Sequence, residues 1–207
     1  MSTPTSIAWK SDDQALIQII DAAHAEAARK SGAWLVCRPG CSQCCIGVFA
    51  ISRLDVLRLQ DGLNELRRLD PARAASVVAR ARESVARLRS EFPGDVETGL
   101  LHENDEAQAR FEDFANDEPC PALDPDTQTC DLYASRPMTC RVFGPAVSGA
   151  DGTVGACELC YDGASDEEIA GCAVEMDPDD TESRLVETLE AATGVRGATI
   201  VAWCLAG

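Results

Sequence analysis

The chain has 207 residues, 45% of them hydrophobic, and a formal net charge of −17. That length suits one domain able to bury a real core. It contains no apolar run of about 18 residues, which excludes a membrane-spanning helix. A charge this negative gives phosphate-driven binding no field to work with, so nucleic acid is not the expected partner.

Met1–Lys10 lacks the basic-then-apolar pattern of a secretion signal, which points to the cytoplasm. In a reducing compartment, eleven cysteines beside only two histidines read as metal-binding or catalytic rather than as a disulfide framework. The odd count rules out complete internal pairing. The charge is lopsided: five Arg stand against 25 acidic residues after Phe92, whereas residues 52–92 hold nine Arg and six acids. The acidic excess reads first as a solvating surface.

In chain order, Ser11-Asp12-Asp13-Gln14 has the form of a capping box. Leu16, Ile19, Ile20, Ala23 and Ala27 follow at helical spacing, which predicts a helix over 12–30. His24 beside that stripe, and His102 later, read as packed or surface residues rather than ligands. Ile46–Ile51 has the composition of a short strand. Ser52-Arg53-Leu54-Asp55 opens a second helix, and Asp70 with Pro71 opens a third, carried by Val78, Ala81, Val85, Leu88 and Phe92. The Arg residues of this region lie on its other faces, where they meet water, an acidic partner or the chain's own acidic half. Pro93-Gly94 ends the helix. An acidic insert over about 94–118 contains a helix near 103–115. Residues 120–143 are turn-rich with a brief extended piece at Leu132-Tyr133, and 144–165 form a Gly-rich loop. Asp180–Thr193 reads as a helix stopped by Gly194, and Ala198–Leu205 as an apolar strand or buried tail, so that helix and tail close the chain over about 178–207.

The chemistry sits in the cysteines. Cys37, Cys41, Cys44 and Cys45 form a C-x3-C-x2-C-C cluster; Cys120, Cys130 and Cys140 follow, each separated by nine residues, and then Cys157-x2-Cys160. Thiolates two or three residues apart in a tight loop reach one metal at about 2.3 Å with little closure entropy. Four cysteines within nine residues are poorly explained as small buried hydrophobes. All-sulfur ligation selects zinc, iron–sulfur clusters or cuprous copper. Adjacent side chains point apart on most backbones, so Cys44 and Cys45 are expected to serve different tasks, and the number of thiols makes two sites plausible. Bound thiolates carry negative charge; Arg38, Arg136 and Arg141, close in sequence to Cys37 and Cys140, are candidates to balance it.

The cysteine cluster, together with Pro119-Cys120-Pro121-Ala122-Leu123, Cys130-Asp131-Leu132-Tyr133 and Arg136-Pro137-Met138-Thr139-Cys140-Arg141-Val142-Phe143, resembles the YkgJ-type cysteine-cluster family over about residues 35–145. That family is described as zinc- or iron-chelating and is often labelled an iron–sulfur oxidoreductase. The resemblance implies metal ligation by Cys37, Cys41, Cys44, Cys45, Cys120, Cys130 and Cys140; Cys157 and Cys160 rest on spacing alone. A flagellin lysine methylase is similar in the same pattern, so a modification enzyme is conceivable, although no methyl-donor loop is recognisable. Cys37-x3-Cys41-x2-Cys44 also matches the spacing of radical S-adenosylmethionine enzymes. Gln43 in place of an aromatic, Cys45 directly after Cys44 and the lack of a β/α series weigh against that. No dinucleotide, P-loop or nucleophile-elbow motif occurs, and Cys157-x2-Cys160 has no thioredoxin context.

The expectation is therefore a single metal-organised domain, mainly α with a few short strands. Its working part is an iron–sulfur cluster of the [4Fe–4S] type in a redox or sensing role, with an unidentified protein or redox partner and, if it is an enzyme, oxidoreductase chemistry. The alternatives are a structural zinc (Zn2+) protein presenting an interaction surface and a cluster-dependent protein-modification enzyme.

Overall fold

A computed structural model describes residues 5–149 and 152–207. The structure is 54% helical with eight helices and short strands making up 9%, counted among the described residues. The mainly α expectation with minor β therefore holds. No described helix is long and apolar enough to cross a membrane. Part of the Met1–Lys10 signal-peptide reading lies outside the described residues. The chain forms two compact units, one of residues up to Arg38 with Met138–Gly194, the other of Pro39–Pro137 with Val195–Gly207.

The second unit is built on a helical hairpin, α2 (Arg53–Leu69) and α3 (Pro71–Leu88). Ser52, at the helix start read from the sequence, caps α2 through a reciprocal box with Asp55. Asp70 serves both helices: its N–H closes α2 on Leu66 O at 2.7 Å, and its carboxylate accepts from Arg73 N at 3.0 Å to open α3. A one-residue joint results, and the two helices must fold back on each other. The final segment is not a strand but helix α8 (Val201–Ala206), which packs on both α2 and α3. Ile200 precedes it in extended conformation, and Thr199 pairs with Ile51 in an isolated bridge. The continuous apolar run, readable as a strand or a buried tail, is here a short helix buried on several sides, which periodicity does not separate from a buried strand.

Ile51, Leu59, Leu63, Val77, Ala81, Leu132 and Leu205 form the core of this unit. Gly62 of α2 lies so close to Ser135 that a Cβ would collide with that side chain. Beside the core, Phe92 stacks on Trp203 with ring centroids 4.1 Å apart, and Phe114 meets Phe92 edge-on. Phe92 is thus past the end of α3 rather than its last turn. Strands β1 (Gly94–Asp95) and β2 (Leu100–Leu101) pair antiparallel before α4 (Asp105–Glu112), which Asn104 caps. Strands β3 (Leu123–Asp124) and β4 (Thr129–Cys130) form a second hairpin. Ile46–Ile51 is no strand, only bridges at its two ends, and Leu132-Tyr133 leads into a 3-10 turn at Tyr133–Ser135.

In the first unit, α1 runs over Thr5–Ser31, so Ser11 lies inside the helix and the capping box forecast there is not the start. Leu16, Ile20 and Ala27 are its buried stripe. It packs on α5 (Met138–Val142), α6 (Asp166–Cys172), α7 (Thr181–Thr193) and β7 (Val174–Glu175). Strand β5 (Val147–Ser148) pairs antiparallel with β6 (Val154–Gly155) and parallel with β7. Helix α6 begins where the 144–165 loop ends, and Ser165 and Glu168 form its capping box. Tyr161 fastens the unit, its hydroxyl hydrogen-bonded to Ser31 Oγ and accepting from Ala146 N at 2.8 Å. Ser31 Oγ in turn donates to Ala27 O at 2.6 Å.

Candidate metal centre

In the second unit, a 3-10 turn at Gln43–Cys45 presents two neighbouring thiols. Its backbone closes through Cys45 N to Ser42 O at 2.8 Å and Ile46 N to Gln43 O at 3.1 Å. The chain then runs beside 118–120: Gly47 N donates to Glu118 O at 2.9 Å, Ile46 bridges Pro119, and Cys120 N donates to Cys45 O at 2.7 Å. Gly47 has φ +92°, and a Cβ there would stand 3.1 Å from Asn116 O, so glycine is what allows the approach. The β3–β4 hairpin sets Cys130 opposite Leu123, three residues after Cys120. Ser42 Oγ reaches the tip of that hairpin, donating to Gln128 Oε1 at 2.7 Å. Three stretches distant in sequence are stitched together in this way, and each carries cysteine.

The thiols respond to one another. Cys45 donates a hydrogen bond to Cys44, which lowers Cys44 to about 6. The same bond, burial and the nearby Cys44, Cys120 and Cys130 hold the proton on Cys45. A 3-10 turn, rather than an extended chain, carries these two neighbouring thiols. Burial pushes Cys120 up to about 12, although the N–H groups of Ala122 and Leu123 point at its sulfur. Burial likewise raises Cys130, whose sulfur accepts from Leu132 N–H. Backbone donors aimed at sulfur favour thiolate and partly offset the cost of burying it.

Counter-charge comes from α3. Asp131, directly after Cys130 and only 1% exposed, takes Arg73 Nε at 2.5 Å and Arg80 at 2.5 Å. Arg80 Nε also donates to Pro121 O at 2.9 Å, and Asp131 N donates to Ala122 O at 2.7 Å. Arg80 thus fastens the Cys120 and Cys130 segments together, and its charge opposes the rise at Cys120. Arg73, Arg80 and Asp131 were missed by the sequence reading. Their signal was there, in an acid next to a cysteine and two Arg seven apart on one helix face. The α3 arginines do meet the chain's own acids, since Arg87 also pairs with Glu118 at 2.6 Å.

Of the arginines singled out in sequence, Arg136 stacks on Tyr133 with its guanidinium 4.1 Å from the ring centroid, and its charge acts on Cys130. Arg141 is buried in the first unit with Nη1 on Asp21 Oδ1 at 2.9 Å. Arg38 is exposed. Cys41 belongs to the second unit; Cys37, Cys140, Cys157 and Cys160 belong to the first. The two isolated cysteines behave as buried thiols: Cys172 donates to Lys30 O at 3.4 Å and Cys204 to Val56 O at 3.7 Å.

Among the described residues, no three His, Cys, Asp or Glu side chains are already drawn together closely enough to hold an ion. Thiol rotation would have to complete any site. The donor set itself fits a thiophilic metal: sulfur only, supported by N–H groups and flanked by guanidinium. The model of the CxxCxxCC family, described as "Putative zinc- or iron-chelating domain", matches residues 36–161, more than half of the chain. The chain belongs to this family. The resemblance expected from the cysteine blocks is thereby shown, and it extends past residue 145 to take in Cys157 and Cys160. No curated protein and no solved structure matches the chain.

Proposed function

We propose that the second unit of this CxxCxxCC protein chelates one four-coordinate metal ion, Zn2+, on Cys44, Cys45, Cys120 and Cys130, and that the ion locks this unit. The observation that carries the reading is the backbone pairing of Cys120 N with Cys45 O at 2.7 Å, which sets the Cys44-Cys45 turn beside the hairpin that holds Cys130. Metal–sulfur bonds of about 2.3 Å give a tetrahedron with edges of about 3.8 Å, a span that thiols on adjacent residues of one tight turn are able to meet after rotation. The terminal sulfurs of a [4Fe–4S] cluster sit on different irons and stand farther apart. A bound Zn2+ supplies a cross-link whose binding energy is folding energy. The chain's residues do the rest. The Gln43–Cys45 turn presents two donors, the 45–47 and 118–120 pairing brings Cys120 alongside, and the hairpin adds Cys130. Arg80 and Arg136 balance the charge. Such a domain works by presenting a surface to a protein partner in a reducing compartment.

The iron–sulfur redox reading is the rival, favoured by Cys41, a further thiol of this unit three residues before Cys44. Anaerobic purification with metal and acid-labile sulfide analysis separates the two. Sulfide-free protein containing zinc is the expected result. Brown protein with sulfide matching iron would replace the zinc reading by the redox one.

A further inference from the structure

We propose that the first unit carries a second thiolate site of its own for a thiophilic divalent ion, built on Cys37, Cys157 and Cys160 and completed by Cys140. It does not depend on the identity of the metal in the second unit.

Cys157-Glu158-Leu159-Cys160 is folded as a metal-binding knuckle. Its turn closes through Cys160 N to Cys157 O at 2.8 Å, which holds both thiols on one tight loop. The same turn closure holds Cys120 in the other unit, where Leu123 N donates to Cys120 O at 2.9 Å, at the same offset of three residues. Gly144 brings in the third donor: its carbonyl accepts from Cys157 N at 3.2 Å, and a Cβ on it would stand 3.8 Å from Cys37 Sγ. Its φ of +123° is open only to glycine, so the turn that sets Cys157 beside Cys37 needs this residue. Cys140 lies on α5, four residues before that glycine.

Surroundings set this site apart. Cys160 is 4% exposed in a small core with Ala146, Tyr161 and Cys172, which fixes one side of the knuckle. Its other side is open: Cys37 is exposed, and so are the large apolar residues Val36, Phe143 and Leu159 next to the ligands in sequence. Asp166 lines the same cleft as Cys157 and Cys160. An ion here is reachable from solvent and exchanges more readily than one in the second unit. Uptake is plain ligand substitution: each thiol that binds gives its proton to buffer, and no electron moves.

The test uses the full chain, stripped of metal under anaerobic, reducing conditions and titrated with Co2+. Two equivalents with sulfur-to-cobalt charge-transfer absorption are expected. Cys157→Ser/Cys160→Ser should take up one equivalent, and Cys120→Ser/Cys130→Ser should lose the other one. A Cys157→Ser/Cys160→Ser variant that takes up as many equivalents as the wild type overturns the proposal, whatever the second unit binds. If the double serine variant fails to fold, Cys160→His keeps a ligand. It should retain two equivalents with a weaker, shifted charge-transfer band, and an unchanged spectrum would overturn the assignment.

Discussion

Replacing Asp131 by Asn keeps its shape and removes the charge on which Arg73 and Arg80 converge. The Asp131 side chain is 1% exposed, whereas those of Arg80 and Arg73 are 25% and 44% exposed. The arginines can turn part of the way to water, so the cost falls below the 3–5 kcal/mol typical of breaking a fully buried pair. The Arg80 bond, charge-assisted and half-buried, is worth about 1.5–3 kcal/mol, and the exposed Arg73 bond about 0.2–1 kcal/mol. Asp131→Asn should therefore destabilise the metal-free protein by about 2–4 kcal/mol. Arg80→Ala should come close to this value and Arg73→Ala should stay below about 1 kcal/mol. Urea unfolding followed by circular dichroism, with chelator present, measures all three. In the metal-bound form the loss should appear as weaker zinc affinity, because Arg80 ties the Cys120 and Cys130 segments together. An Asp131→Asn variant within about 0.5 kcal/mol of wild type, or equal effects of the two arginines, would refute the claim that this buried carboxylate organises the cysteine segments.

Other consequences are equally direct. At pH 7 Cys44, lowered to about 6, is already largely thiolate, while Cys45, Cys120 and Cys130 are held protonated. Zinc binding should then release about three protons and tighten as pH rises; calorimetry in buffers of different ionisation enthalpy counts them, and a release near zero contradicts the ligand set. Cys204, pushed up to about 12 by burial, is a neutral buried thiol. Its stabilising contribution is complete below the ordinary value of 9.0 and is lost as pH rises towards 12, because the unfolded chain sheds that proton first. Cys204→Ala should flatten the alkaline limb of a stability–pH curve for metal-free protein, and an unaltered limb would rule the thiol out. Gly62→Ala should destabilise by about 1–3 kcal/mol in thermal unfolding through overpacking against Ser135. A gain, as helix propensity alone would give, would mean that α2 and the 133–135 turn are not in tight contact.

Much of the helical framework was legible because its signals are local. The Ser52 start, the Asp70-Pro71 start and the Gly194 stop each depend on a few consecutive residues, and all three stand in the structure. Readings failed where local pattern underdetermines conformation. Ser11 resembles a cap yet lies within α1, and the apolar tail resembles a strand yet forms α8, because burial on several sides erases the period that tells helix from strand.

The sequence by itself determined the chemistry: eleven cysteines, two histidines and spacings that only thiolate ligation explains well, enough to place the chain in a chelating family. Tertiary structure decided which thiols keep company. Cys45 meets Cys120 through a backbone pairing across more than seventy residues, and Arg80 reaches Asp131 from another helix. Cys37 and Cys41, four apart in sequence, belong to different units. Spacing fixes what a loop is able to bind, but the partners of a loop are chosen by hydrogen bonds and packing between distant segments, and those exist only in the folded chain.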